Sequence, residues 1–169
     1  MKRGSGLKKE VFQKIYEQSH TALYLYAFSL THDRDDAEDL VSETFVKAFL
    51  SYSGEGNFQA WLFRTLKNTF IDECRKKKRF VHVDESFMDV LSTEKDALNQ
   101  TEERKQWLYR QIYLLSETER NVILLTIHSG LRDAEIAELM HISIQNLRVI
   151  RHRTVSRLKQ LAKKEGMYE

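Results

Sequence analysis

The segment Leu131-Arg132-Asp133-Ala134-Glu135-Ile136-Ala137-Glu138-Leu139-Met140-His141-Ile142-Ser143-Ile144-Gln145-Asn146-Leu147-Arg148, running on to Leu158, decides how this chain folds. It reads as a short amphipathic helix, a turn at His141-Ile142-Ser143, and a longer, basic, amphipathic helix. That order and spacing is a helix-turn-helix, whose second helix can enter the major groove of DNA. Ser143 can cap this second helix. Leu147, Ile150, Thr154 and Leu158 fall on an inward face, and Gln145, Arg148, Val149, His152 and Arg153 fall on another. Arg and Gln can make bidentate hydrogen bonds to base edges. From His141 to Lys164 the chain carries Arg148, Arg151, Arg153, Arg157, Lys159, Lys163 and Lys164 with no acid among them. Such a strip neutralises phosphates and releases counterions. A solvated basic helix would share the charge, but not the helix and turn that precede it.

Working upstream, Ser116-Glu117-Thr118-Glu119 is a capping-box pattern. It predicts a helix through Val122, Ile123 and Leu125 to about His128, stopped by Ser129-Gly130. Trp107, Ile112 and Leu115 line a helix before it. Residues 101–164 therefore form a C-terminal helical unit. Residues 8–79 form another, with three helical stretches. Phe12, Ile15, Tyr16, Leu23, Tyr26 and Leu30 line one face of the first; Leu40, Val41, Phe45, Ala48 and Phe49 line the second; Phe58, Leu62, Leu66 and Thr69 line the third, which runs to about Arg79. Ser53-Gly54-Glu55-Gly56-Asn57 separates the second from the third. Residues 80–100 are polar and acidic with weak periodicity, and read as a linker rather than a long internal loop. The short alternation at Phe80 to Val83 is too brief for a strand. The expected fold class is all-α: two small helical domains joined by a flexible linker, the C-terminal one a helix-turn-helix.

Composition narrows the function classes. Of 169 residues 41% are hydrophobic, enough for real cores, and 31% are charged. The net charge of +2 announces no polyanion partner; the local clustering of cations does. A single cysteine, Cys74, excludes a disulfide framework and fits a reducing compartment. No apolar run reaches membrane length and no signal-peptide pattern opens the chain, so no membrane insertion and a cytoplasmic location are expected. His20, His32, His82, His128, His141, His152 and Cys74 show no metal-ligand spacing. There is no Gly-rich phosphate loop and no nucleophile-base pattern. The expectation is no enzyme, no metal and no cofactor.

Two constellations in the N-terminal unit carry chemistry. Asp33, Asp35, Asp36, Glu38, Asp39 and Glu43 crowd the start of the second helix. Acid there is favoured by the helix dipole alone, yet Asp39 and Glu43 also make an exposed stripe four residues apart that suits a basic partner helix. On the third helix Trp61, Arg64, Asn68, Asp72 and Arg75 project from one side, followed by Arg75-Lys76-Lys77-Lys78-Arg79. Trp61 reads equally as a core residue. Beside Arg, Asn and a cation run it also matches single-strand binding, where bases stack and the backbone is tracked electrostatically. Tyr52, in the adjacent loop, is a second possible stacking surface.

Together these pieces resemble the sigma factors of the extracytoplasmic-function class, the compact two-domain branch of the main bacterial sigma family, from about Val11 to Leu161. The segment Asp36-Ala37-Glu38-Asp39-Leu40-Val41-Ser42-Glu43-Thr44-Phe45 resembles the family's helix that docks on the beta-prime clamp helices of core RNA polymerase. Phe58 through Asn68, with Ile71-Asp72 and Arg75, resembles its promoter-melting helix, and Leu131 through Leu158 its reader of the upstream promoter element. The resemblance implies polymerase contacts at Asp36, Asp39, Leu40, Glu43 and Phe45. It implies contacts to the downstream, −10, element at Tyr52, Ser53, Asn57, Trp61, Arg64, Asn68, Arg75, Lys76 and Arg79, with Tyr52, Ser53 and Asn57 in a loop that holds a flipped base. It implies contacts to the upstream, −35, element at Gln145, Arg148, Val149, His152 and Arg153. It further implies promoter DNA and an anti-sigma protein as partners, and a linker threading toward the polymerase active-site channel. His141 departs from the family's frequent Gly at the helix-turn-helix turn, and histidine tolerates positive φ better than most residues. Ile150, Arg151 and Val155 also depart, which predicts a slightly rotated inward face. The alternative expectation is a stand-alone helix-turn-helix regulator with a dimerising or sensory N-terminal unit; a helical scaffold or anti-factor is a third.

Overall fold

Helix boundaries in the computed structural model, which describes residues 9–77 and 100–167, follow from local capping chemistry. The elements are α1 (Lys9–Thr31), α2 (Arg34–Ser51), α3 (Phe58–Lys77), α4 (Gln100–Tyr113), α5 (Glu117–His128), α6 (Asp133–Met140) and α7 (Ile144–Lys164). Asp33 starts α2 by accepting from the Asp36 N–H at 2.9 Å. The Ser116 box forms as read: the Glu119 N–H reaches Ser116 Oγ and the Ser116 N–H reaches Glu119 Oε2 at 3.2 Å. Gly130, at φ 68, follows the Ser129 cap that ends α5. Ser143 Oγ accepts from the Asn146 N–H at 3.0 Å and starts α7. His141 ends α6 in the left-handed region, at φ 55 and ψ 41. The Ile142 N–H then returns to the Ala137 carbonyl at 3.0 Å, so the histidine does what a glycine commonly does at a helix C-terminus.

The all-α, two-unit architecture is borne out: α1–α3 form one unit and α4–α7 the other, with no strand among the described residues. Arg79, the Phe80–Val83 run and the expected linker up to residue 99 lie outside the described residues, as does residue 8.

The two units pack against each other, and α1 shows it most clearly. A single buried face was expected. Near its start that holds: Phe12 and Tyr16 lean on Phe45 and Phe49 of α2, with ring centroids 4.6–6.0 Å apart, while Tyr16 stays 40% exposed. From Ala22 to Leu30, however, every residue is buried. The cause is that α2 and α3 cover one side and α5 of the other unit covers the opposite side. One apolar cluster consequently runs through both units, from Leu23, Phe28, Leu40 and Phe63 to Ile112, Val122, Leu125, Ile136 and Leu147. Burying each such side chain contributes about 1.5–3 kcal/mol.

Candidate nucleic-acid interface

On α7 the inward positions Leu147, Thr154 and Leu158 are buried and Ile150 is half-buried. Gln145, Arg148, Val149, His152 and Arg153 are all exposed, and with Ile144 they line one shallow concavity along the helix. Arg151, next to the inward position Ile150, is half-buried. It turns toward α6, where its Nη1 donates to Asp133 Oδ1 at 2.7 Å. Arg148 Nε donates to Asp133 Oδ2 at 3.0 Å. These two guanidinium groups, Arg151 first, hold the Asp133 carboxyl far below the usual carboxylate range. Asp133 was not singled out in the sequence; its place at the first position of α6 is the local sign of it. Arg148 is thus oriented by an intramolecular partner, whereas Gln145, His152 and Arg153 face solvent.

In the N-terminal unit, Tyr52, Phe58 and Trp61 cluster where the loop enters α3. Tyr52 meets Phe58 at 4.6 Å and Trp61 at 5.5 Å, both edge-on, and the Tyr52 hydroxyl donates to the Gly56 carbonyl at 3.1 Å. Gly54 and Gly56 both take positive φ, near 84 and 83, which lets the loop fold back under Tyr52. Trp61 is half-buried, so it packs and still offers an edge to solvent. Ser53, Asn57, Arg64, Asn68, Arg75 and Lys76 are exposed. Arg75, Lys76 and Lys77 occupy the last turn of α3, the end of the helix that favours cations.

Two of these residues are already engaged by the other unit. Asn57 Nδ2 donates to Glu135 Oε1 at 2.7 Å, and Arg64 Nη2 lies 3.7 Å from Glu138 Oε1. Lys67 Nζ donates to the Leu139 carbonyl, and burial lowers its pKa. The first helix of the helix-turn-helix therefore lies across part of the face assigned to single-stranded DNA. Glu135, Glu138 and Lys67 were missed in the sequence, where nothing local marks them.

The acidic start of α2 divides into an outer and an inner set. Asp39 and Glu43 are exposed and Asp36 is half-buried, but Leu40 and Phe45 are only 0% and 3% exposed. These two face α1 and the core, because they sit on the buried stripe of α2. Lys47 Nζ pairs with Glu43 Oε1 at 2.9 Å and depresses its pKa.

Deeper in the seam, Arg120 of α5 is 6% exposed. Its Nε donates to Ser29 Oγ of α1 at 2.9 Å, and its Nη1 donates to the Tyr113 carbonyl at 3.0 Å. Ser29 Oγ in turn donates to Asn121 Oδ1 at 2.5 Å. No group of His, Cys, Asp or Glu capable of holding a metal is found among the described residues. No described helix is long and apolar enough to cross a membrane.

Comparison with known proteins gives this geometry a context. Residues 15–80 match the family model for sigma-70 region 2. The chain is 30% identical over 153 residues to the ECF RNA polymerase sigma factor SigM of Bacillus subtilis, covering 88% of this chain and 93% of that protein. It is 26% identical over 161 residues to the RNA polymerase sigma factor YlaC of the same organism, covering 90% and 92%. Among solved structures it resembles the sigma factor RpoE of Bartonella quintana in complex with the anti-sigma factor NepR. That likeness has a TM-score of 0.64 and 26% identity, and covers 90% of this chain and 96% of that one. These likenesses do not favour the stand-alone regulator.

Proposed function

Because the chain belongs to the extracytoplasmic-function RNA polymerase sigma factors, we propose that it binds core RNA polymerase and directs initiation at promoters carrying two separate elements. The C-terminal unit, 101–164, reads the −35 element through Gln145, Arg148, Val149, His152 and Arg153. The N-terminal unit, 8–79, captures the −10 element with Tyr52, Ser53, Asn57, Trp61, Arg64, Asn68 and the cations from Arg75 to Arg79. Residues 80–100 tether them. Asp39 and Glu43, with Asp36 beside them, dock on the clamp helices of the beta-prime subunit.

The observation that carries this reading is the single exposed face of α7, where all five candidate groove residues lie together after a capped turn. The chain catalyses nothing itself. Capturing an unstacked base offsets part of the melting cost, a few kcal/mol per base. Two weak elements held by one rigid enzyme multiply in effect. An anti-sigma protein restrains the chain, as the Bartonella relative's complex with NepR suggests by analogy.

Run-off transcription from genomic fragments with core polymerase tests the proposal. Promoter-dependent transcripts are expected with the chain and not without it. Arg148→Ala and Arg153→Ala should each weaken promoter use by about 1–3 kcal/mol, the worth of a lost base contact. Charge reversal at Asp39 should reduce co-purification with core polymerase. Transcription untouched by both arginine variants removes the groove assignment.

A further inference from the structure

His32 sits where α1 turns into α2, held at φ 54. Its Nε2 lies 3.5 Å from Arg120 Nη2 of α5, across the seam between the two units. A guanidinium has donors only, so Nε2 is the acceptor and the ring proton sits on Nδ1. Nδ1 is buried and makes no hydrogen bond. The ring meets Tyr113 of α4 edge-on, with centroids 6.2 Å apart. Elements of both units therefore enclose one imidazole.

We propose that His32 is a proton-operated latch between the two helical units. Neutral, it accepts from Arg120 and completes the seam. Protonated, it turns an N–H toward the guanidinium N–H and sets two cations against each other in a half-buried site. The latch concerns only the separation of the units, so it stands or falls independently of the DNA and polymerase assignments.

The groups facing His32 agree with this direction. Burial first and Arg120 second lower its pKa, while the Glu117 carboxylate of α5 opposes them. Tyr113 faces it from α4. Asp33, next in sequence, spends its Oδ1 on the α2 cap. Because the closed state lowers the histidine's pKa, closure is at full strength above the ordinary histidine value of about 6.5. It weakens as pH falls below that value and levels off below the closed-state pKa. Each unit between the two pKa values raises the open-to-closed ratio about tenfold. His128 also has a lowered pKa, but its ring pairs with the Tyr109 hydroxyl at 2.7 Å inside the C-terminal unit. Glu135, elsewhere in the seam, has its pKa lowered by hydrogen bonds from Arg132.

Spin labels on Cys74 of α3 and on Gln160→Cys of α7, both exposed in the full chain, read the separation by electron-electron distance measurement. A single short distance is expected at pH 8, with a longer population growing between pH 7 and pH 5. His32→Asn keeps a residue that accepts positive φ and should abolish that growth. In the unsubstituted chain, NMR of the His32 ring should follow the same midpoint as the distance change. Three outcomes overturn the latch. One is a distance distribution that stays constant from pH 8 to pH 5 with helicity intact. Another is opening that persists in His32→Asn. The third is a His32 ring titration that does not coincide with opening.

Discussion

Asn57 and Glu135 stand 78 positions apart in the chain, yet the Asn57 amide donates to the Glu135 carboxylate at 2.7 Å. The amide spends one of its two N–H donors on that contact, and its oxygen accepts from the Ala60 N–H. The neighbouring Arg64–Glu138 pair places a second carboxylate at the same face, 3.7 Å from the guanidinium. In the closed arrangement the acids of α6 lie against two of the α3-side residues proposed above to bind the −10 element.

Removing those two negative charges should therefore favour nucleic acid over the closed form. The double substitution Glu135→Gln with Glu138→Gln is expected to tighten binding of the free chain to single-stranded −10 DNA by about three- to tenfold, since exposed pairs contribute at most about 1 kcal/mol each. Fluorescence anisotropy with a labelled oligonucleotide measures it. The amide oxygen introduced by Glu135→Gln can still accept from the Arg132 N–H, so the start of α6 survives. Unchanged affinity in a normally folded variant would mean that these contacts mask nothing.

What was legible in the sequence was local. Ser116, Ser129-Gly130 and Ser143 mark their helix ends through contacts three or four residues long, and they fixed the C-terminal unit. The exposed face of α7 followed from its period alone. The seam was not legible, because Ser29 and Asn121 are 92 positions apart and no period links them. Two signs were present all the same. The run Ala22-Leu23-Tyr24-Leu25-Tyr26-Ala27-Phe28 has no polar face, which signals a helix covered on all sides. Arg120-Asn121 directly precedes the buried run Val122-Ile123-Leu124-Leu125, where a polar pair needs partners from elsewhere. The inward placement of Leu40 and Phe45 was legible too, since both fall on the apolar period of the second helix.

His141 gives a backbone prediction. A non-glycine residue at φ 55 costs about 1–2 kcal/mol, partly offset by the unfolded-state entropy that glycine would add. His141→Gly should raise stability by about 0.5–1 kcal/mol in urea unfolding, while His141→Val should lower it by at least about 1 kcal/mol, β-branched residues tolerating this region poorly. Equal stability of all three would contradict the strained turn.

Asp133 predicts acid behaviour. Its folded pKa is depressed by Arg151 and Arg148, so its contribution is complete above the unfolded carboxylate value of about 3.9 and is lost as pH falls further. Asp133→Asn should flatten the pH dependence of C-terminal stability below about pH 4 and leave the profile near neutrality parallel to the original. Thermal melts from acid to neutral pH separate the two cases; identical acid slopes would show that the triad does not bind these helices together.

Arg120 is the most exacting test, because its geometry and not its charge should matter. Among the described residues it has no carboxylate in ion-pair contact; neutral acceptors hold it, namely Ser29 Oγ, the Tyr113 and Leu115 carbonyls and His32 Nε2, with its guanidinium 5.5 Å over the Tyr113 ring. Replacing a buried ion pair with an apolar side chain is often harmless. Here only one charge would go, and the Tyr113 and Leu115 carbonyls at the α4–α5 turn would lose the donor that Arg120 supplies, at up to about 1–3 kcal/mol each before any water enters. Arg120→Met is therefore expected to cost about 2–4 kcal/mol in urea unfolding. Arg120→Lys should recover little of that, because an ammonium cannot present forked donors to the α1 hydroxyl and the turn carbonyls at once. If the lysine variant matches the parent chain, charge alone suffices at this position, and the forked hydrogen bonding is not what joins α5 to α1.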